Sequence, residues 1–169
     1  MTSVIGASLR RTDGEMKVRG EAVYGVDYVE AGMLVGKLLR SPVPAGRIVS
    51  LDTSKAEAMP GVRSIATAAD APDTLGGWVL RDQPLFAVDR VRYEGEPVAA
   101  VAAETVDQAE AAVRAIELTI EETEAVADIE AALAPHAPLV HPDWERYVPT
   151  AGDDYPRGGN VVAEMISDP

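Results

Sequence analysis

The sequence contains no cysteine. It can build no disulfide framework, no thiolate metal site and no iron–sulfur ligand set, so any iron–sulfur carrier it works with must sit on another chain. Aromatic residues are scarce, at 5% with a single Phe and two Trp. Val, Leu, Ile and Ala must therefore supply most of any core. Positive charge is also in short supply: the net charge is −13. A phosphate backbone or an anionic lipid surface needs a basic face, so neither nucleic acid nor membrane is expected as a partner. No apolar run reaches the roughly 20 residues of a membrane-spanning helix. Arg10-Arg11 is followed by Thr12-Asp13-Gly14, not by an apolar stretch, so it does not read as a twin-arginine signal. A soluble cytoplasmic protein is the expectation.

What is present suffices for a core. The hydrophobic fraction is 47% over 169 residues, a length typical of one domain or two very small ones. A chain of this size buries roughly two-thirds of its unfolded surface. The acidic residues are unevenly spread: residues 104–130 hold nine of them against Arg114 alone, whereas residues 1–50 hold seven basic and five acidic. The simpler reading is a solvated acidic face that aids solubility. The sharper one is an electrostatic docking face for another subunit.

Along the chain, residues 1–20 are polar and punctuated by glycine, which predicts an extended leader. Residues 22–29 and 33–39 read as strands joined at Ala31-Gly32, an antiparallel hairpin. Gly36 within the second strand suggests a bulge or a close backbone approach. Arg40-Ser41-Pro42-Val43-Pro44 must leave the strand, because proline cannot donate to a ladder.

Two segments then share one grammar. Arg47–Leu51 reads as a strand, Asp52 or Thr53 caps a helix over 53–59, Pro60-Gly61 stops it, and Val62–Ala66 is a strand. Pro97–Ala103 is a strand, Thr105–Ile116 a helix, and Glu117–Glu121 a strand. The longer helix shows capping-box spacing between Thr105 and Gln108. Val106, Ala109, Val113 and Ile116 recur on one of its faces, and Glu110 and Arg114 are spaced for an ion pair. Strand 97–103 lacks polar alternation, which predicts burial on both faces with small alanines under a helix. The shorter helix falls below the dozen or so residues of a full crossover, so the strands that flank it need not be neighbours. Residues 70–90 are irregular. Asp128–Ala134 reads as a short helix, and the chain from 135 to 157 as an extended, proline-rich arm anchored by Leu139, Val140 and Trp144. Asn160–Ile166 reads as a last strand.

Candidate chemistry is sparse. His136 and His141, with Asp143 and Glu145 nearby, would be the ligand set of a small hydrolase or metalloenzyme, but Pro138 separates the histidines and no helix presents them together. Glu94 and Glu96 flank Gly95 and have the composition of an acid–base pair. Their simpler role is to cap backbone amides or pair with Arg92 or Arg90. Gly76-Gly77 and Gly158-Gly159-Asn160 lack the strand–loop–helix setting of a phosphate cradle, and no serine sits in a nucleophile elbow. No residue is assigned a catalytic, cofactor-binding or metal-ligating role.

The motifs carry a resemblance instead. Ile5-Gly6, Arg11, Asp13, Lys17-Val18, Gly20, Ala22, Tyr24 and Asp27 open it. Gly32-Met33-Leu34, Arg40-Ser41-Pro42, Arg47-Ile48, Asp52, Ala56, Pro60-Gly61-Val62 and Asp70 continue it. Val91-Arg92-Tyr93, Gly95-Glu96-Pro97-Val98-Ala99 and Ala109 complete it, and Gly159-Asn160-Val161 is similar to a junction with a larger cofactor domain. In order and spacing the chain resembles the amino-terminal domain of the large, molybdenum-binding subunit of the xanthine dehydrogenase and aldehyde oxidase family. It departs after Arg40-Ser41-Pro42, where Val43 and Ala45 stand in positions that are often histidine, which leaves the substrate subgroup open.

The resemblance implies an α+β fold, the α/β-hammerhead: a mixed sheet with two main helices near 53–59 and 105–116 and an extended C-terminal arm. The implied domains are a hammerhead over 1–134 and a linker over 135–169 toward a molybdopterin-binding domain. The implied enzyme hydroxylates an aldehyde or N-heterocycle, or oxidises carbon monoxide, with oxygen from water. Its molybdopterin is held by domains outside these residues, and its iron–sulfur clusters and FAD by partner subunits or domains. This chain alone would bind no cofactor and would brace the assembly. The alternative is a stand-alone hammerhead binding module with no enzyme attached.

Overall fold

The computed structural model describes residues 5–78, 80–149 and 158–162. The chain divides into two units, Met1–Met33 and Leu34–Pro169. In the first, helix α1 (Gly14–Arg19) replaces the expected extended leader. Glu15, Met16, Lys17 and Arg19 favour a helix. Lys17 pairs with Asp13 and Arg19 with Glu15, both one turn apart, and Gly20 ends the helix in the left-handed conformation at φ 72°. The strand expected over 22–29 is absent as well. That stretch holds a 3-10 turn at Gly25–Asp27, fixed by the Tyr24 N–H donating to Asp27 Oδ2 at 2.9 Å. Its alternating Val and Tyr residues meet no partner strand, and strand propensity without pairing is weak. The turn at Ala31-Gly32 does form, with Gly32 at φ 79°, but it closes no hairpin.

The second unit begins with β1 (Val35–Arg40), β2 (Gly46–Asp52), α2 (Ser54–Glu57) and β3 (Val62–Thr67). Short strands β4 (Leu80–Arg81) and β5 (Arg90–Val91) follow. Then come β6 (Pro97–Ala103), α3 (Val106–Ala115), β7 (Glu117–Glu122), α4 (Ile129–Leu133), a 3-10 turn at Trp144–Arg146 and β8 (Val148–Pro149). One sheet has the order β1-β6-β3, another β5-β2-β7, and β4 pairs with β8. Every described ladder is antiparallel. This corrects the expected mixed sheet. In both strand–helix–strand segments the helix carries the chain from one sheet to the other, so neither segment creates a parallel pair. β2 and β3 lie in different sheets, as the shortness of α2 requires.

The all-apolar β6 is the centre of its sheet. Ala99, Val101 and Ala103 are buried on one face, and Ala99 and Val101 cluster with Ala56 of α2, with Ala112 of α3 and with Ile116 just after it. Val98 is buried with Ala87 and Val91 against Ile48, Leu118 and Ile120 of the second sheet. Burying a valine of this kind is worth about 1.5–3 kcal/mol. Alanine on both β6 and α3 lets the helix lie close. The α3 cap is half of the expected box. Thr105 Oγ1 accepts from the Gln108 N–H at 3.3 Å, but the Gln108 Oε1 is buried without a partner. Gly36 has open space around it, and the register shift in β1 lies between Leu39 and Arg40, beside the prolines rather than at the glycine.

Of the expected last strand, only residues 160–162 are described. Val161 makes an isolated bridge to Gly158, and the rest lies outside the described residues.

Candidate functional site

The two motifs that open β6 and close β1 interlock. The Ser41 N–H donates to the Glu96 carbonyl and the Gly95 N–H to the Ser41 carbonyl, each at 2.9 Å. Arg40 Nη1 reaches the Gly95 carbonyl at 2.7 Å. Ser41 Oγ donates to the Val43 carbonyl at 2.7 Å and accepts from the Val43 N–H at 3.2 Å. Ser41, which leaves 3% of its surface exposed, therefore spends its hydroxyl on a turn that the following prolines impose, and is no nucleophile. Gly95 supplies the tight corner at φ 89°, a conformation costly for any other residue.

Glu96 is the buried carboxylate of the site, 4% exposed. Its Oε2 accepts from the Arg92 backbone N–H at 2.5 Å and its Oε1 from Arg92 Nη1 at 3.3 Å. Both oxygens are thus engaged by one residue. Each Glu96 oxygen accepts one hydrogen bond from Arg92, which fixes the carboxylate in place. The structural role for Glu96, with Arg92 as partner, is what the geometry shows. Glu94 is exposed. The Arg92 Nε is buried with no hydrogen-bond partner.

The arm residues meet this node. His141 Nδ1 lies 3.1 Å from the Tyr147 hydroxyl, with the rings edge-to-face at 5.4 Å. Tyr147 is buried, and Arg92 also hydrogen-bonds its hydroxyl. Burial first, and the Arg92 charge second, hold the His141 imidazole below its ordinary 6.5, while Asp82 and Glu96 pull the other way. Burial also pushes the Tyr147 phenol above 10.0. Three cavities have Val140 in their lining, and two of them lie where the arm faces the body. One, of about 410 Å³, is lined by Arg47, Arg90, Val126 and Leu139 among others. The other, of about 450 Å³, has Asp82, Gln83, Arg92, Glu96 and His141 in its wall.

Asn160 braces the arm against itself. Its Oδ1 accepts from the Val140 N–H at 3.0 Å, and its Nδ2 donates to the carbonyls of Pro138 at 3.0 Å and Ala132 at 3.2 Å. Sequence reasoning placed Asn160 in a strand and missed this function; an Asn after two glycines is a turn signal that points to it.

The remaining candidates fall away. His136 is exposed, at φ 70°, and no cluster of three or more His, Cys, Asp or Glu side chains able to hold a metal exists among the described residues. Four of the nine acidic residues of 104–130 form ion pairs with other parts of the chain: Glu104 with Arg63, Glu110 with Lys37, Glu117 with Lys55 and Glu121 with Arg47. The Asn160 amide is consumed within the arm, and a Cβ at Gly77 would strike the Leu80 carbonyl, so that glycine serves a backbone contact rather than a phosphate. No helix among the described residues is long and apolar enough to cross a membrane.

Comparison with known proteins agrees with this picture. The family model described as "Aldehyde oxidase and xanthine dehydrogenase, a/b hammerhead domain" matches residues 19–124. The chain is 47% identical over 134 residues to a probable xanthine dehydrogenase subunit of Bacillus subtilis, covering 79% of this chain and 18% of that protein. It is 38% identical over 141 residues to the nicotinate dehydrogenase large molybdopterin subunit of Eubacterium barkeri, covering 83% of this chain and 33% of that one. The reconstituted CO dehydrogenase from Oligotropha carboxidovorans superposes with a TM-score of 0.71 at 31% identity, over 79% of this chain and 17% of its own. The chain thus spans a third or less of each of these relatives. The chain therefore belongs to the aldehyde oxidase and xanthine dehydrogenase family, and its residues 19–124 match that family's α/β-hammerhead domain.

Proposed function

We propose that this chain is the non-catalytic bracing domain of a molybdenum hydroxylase. The supporting observation is that its buried polar groups are spent internally: Glu96 on Arg92, Ser41 on Val43, Asn160 on the arm. Among the described residues the exceptions are Arg92 Nε and Gln108 Oε1. Relatives that carry this region do so within much longer polypeptides, which weighs against a module that works alone.

In this reading the complete enzyme hydroxylates an aldehyde or N-heterocycle with oxygen derived from water. Molybdopterin, held by domains outside these residues, supplies the redox chemistry when bound. Iron–sulfur clusters and FAD on partner subunits or domains carry the electrons away, and the assembly works in the cytoplasm. In this reading residues 1–134 form the hammerhead body and residues 135–169 a linker toward the cofactor domains. The residues of this chain move no proton and touch no reacting atom.

The test is reconstitution. The purified chain with molybdopterin should show no turnover of xanthine, nicotinate or an aldehyde. The same chain should co-purify with a co-expressed molybdopterin-binding polypeptide of a relative. Hydroxylation by the chain and molybdopterin alone would overturn the proposal.

A further inference from the structure

Residues 23–29 carry a single charge, Asp27, among valines, tyrosines and a glycine. Val26 keeps 89% and Val29 81% of their surface exposed, and Val23, Tyr24 and Tyr28 are each more than half exposed. No residue from 5 to 33 is buried. Single exposed apolar residues are ordinary; a contiguous run of them marks a contact site.

The run is held in shape. The Asp27 N–H donates to the Tyr24 carbonyl at 2.9 Å and the Tyr28 N–H to the Gly25 carbonyl at 3.3 Å. The Asp27 carboxylate accepts from the Tyr24 N–H at 2.9 Å, so the one charge is spent on the segment's own backbone. The Tyr28 hydroxyl donates to the Glu30 carboxylate. These bonds fix the turn before anything docks, which spares the ordering cost of a flexible segment. Tyrosine rings offer large contact area and anchor interfaces for that reason.

Ordering such a stretch costs backbone entropy that burial has to offset, and burial within this chain supplies almost none. The stretch still belongs to the shared domain, since the family match begins at residue 19. Relatives carry that domain in polypeptides of which this chain spans 18% and 33%. The remainder of such a polypeptide is tethered to the domain, and so meets it at high effective concentration. An electrically quiet patch calls for an apolar, weakly charged counterpart. The net charge of −13 disfavours an anionic bilayer.

We propose that Val23, Tyr24, Val26, Tyr28 and Val29 form a docking patch for an apolar, weakly charged surface of the molybdopterin-binding part of the enzyme. The patch presupposes the bracing function proposed above and assigns the residues that make the contact.

Two proteins test it. One is the 169-residue chain alone. The other is the same chain joined to the Eubacterium barkeri molybdopterin subunit in place of the region it matches, expressed with that enzyme's companion subunits. Hydroxyl-radical labelling reads side-chain exposure. Tyr24 and Tyr28 should label freely in the chain alone and lose that labelling in the joined chain. Val26→Asp with Val29→Asp puts two carboxylates into an apolar contact. It should restore the labelling in the joined chain and leave the urea midpoint of the chain alone unmoved. Val26→Ile with Val29→Ile should keep the protection. Equal labelling in the chain alone and in a joined chain that retains molybdopterin overturns the patch and leaves the bracing function standing. Protection already present in the chain alone also overturns it, because the cover is then the chain itself or a second copy. A joined chain that folds without retaining molybdopterin removes the bracing function, and the patch with it. Should the double Asp variant fail to fold when joined, the labelling of the unaltered pair decides.

Discussion

Gln108 turns its carboxamide toward Gly61 rather than back to the helix start it has the spacing to cap. A Cβ on Gly61 would overlap that carboxamide, and Gly61 stands at φ +83°. The turn that joins α2 to β3 is thereby seated on the first turn of α3. Gly61→Ala should lower stability by about 1–2 kcal/mol through the left-handed backbone alone, read as a shift in urea midpoint.

The same contact makes an opposite prediction for its partner. Gln108→Leu removes a buried oxygen that has no hydrogen bond and should be neutral or stabilising by up to about 1 kcal/mol. Thr105→Ala, which deletes the surviving cap, should cost about 1 kcal/mol. Thermal unfolding of the two variants should move in opposite directions.

Gly46 on β2 faces β7 at close quarters. A Cβ there would come within 2.8 Å of the Glu121 carbonyl oxygen and would collide with Ile120. Neither is a flexible surface group, so Gly46→Val should destabilise by about 2–4 kcal/mol. The loss should appear as exchange of the β2 and β7 amides before those of β6.

Breaking the buried pair should cost more than replacing it. Glu96→Leu leaves Arg92 buried and unpaired and should cost about 3–5 kcal/mol, whereas Arg92→Met with Glu96→Leu should recover most of that loss. Equilibrium unfolding of both variants and the unaltered chain checks the order.

Acid should loosen the body through exposed carboxylates. Hydrogen bonds from Ser54 hold Asp52, and those from Thr67 hold Asp70, below their ordinary 3.8; Lys37 holds Glu110 below 4.5. Groups with lowered values stabilise above the ordinary value and lose that contribution as pH falls through the lowered one. The urea midpoint should therefore decline below about pH 4.5, and less steeply in Asp70→Asn.

The parts of this fold that the sequence reveals are those governed by short-range pattern. Pro97–Ala103 is continuous and apolar, Val106–Ala115 repeats at helical spacing behind a Thr cap, and Glu117–Glu122 alternates. The misread parts depend on a distant partner. Residues 22–29 alternate like a strand but meet no neighbour, while β1 pairs with β6, more than fifty residues away. The site divides the same way. Glu96 pairing with Arg92 is legible because the two are four apart. Ser41 meeting Glu96, and Asn160 meeting Pro138 and Val140, are long-range contacts between loops, and no local spacing encodes them.

β2 lies at the middle of its sheet, and its principal neighbour is β7, which ends at Glu122. During synthesis the ribosome must add about seventy residues after β2 before that strand can find its mate. Until then the apolar residues of β2 stand bare, and a chaperone that shields nascent strands has its natural opportunity in that interval.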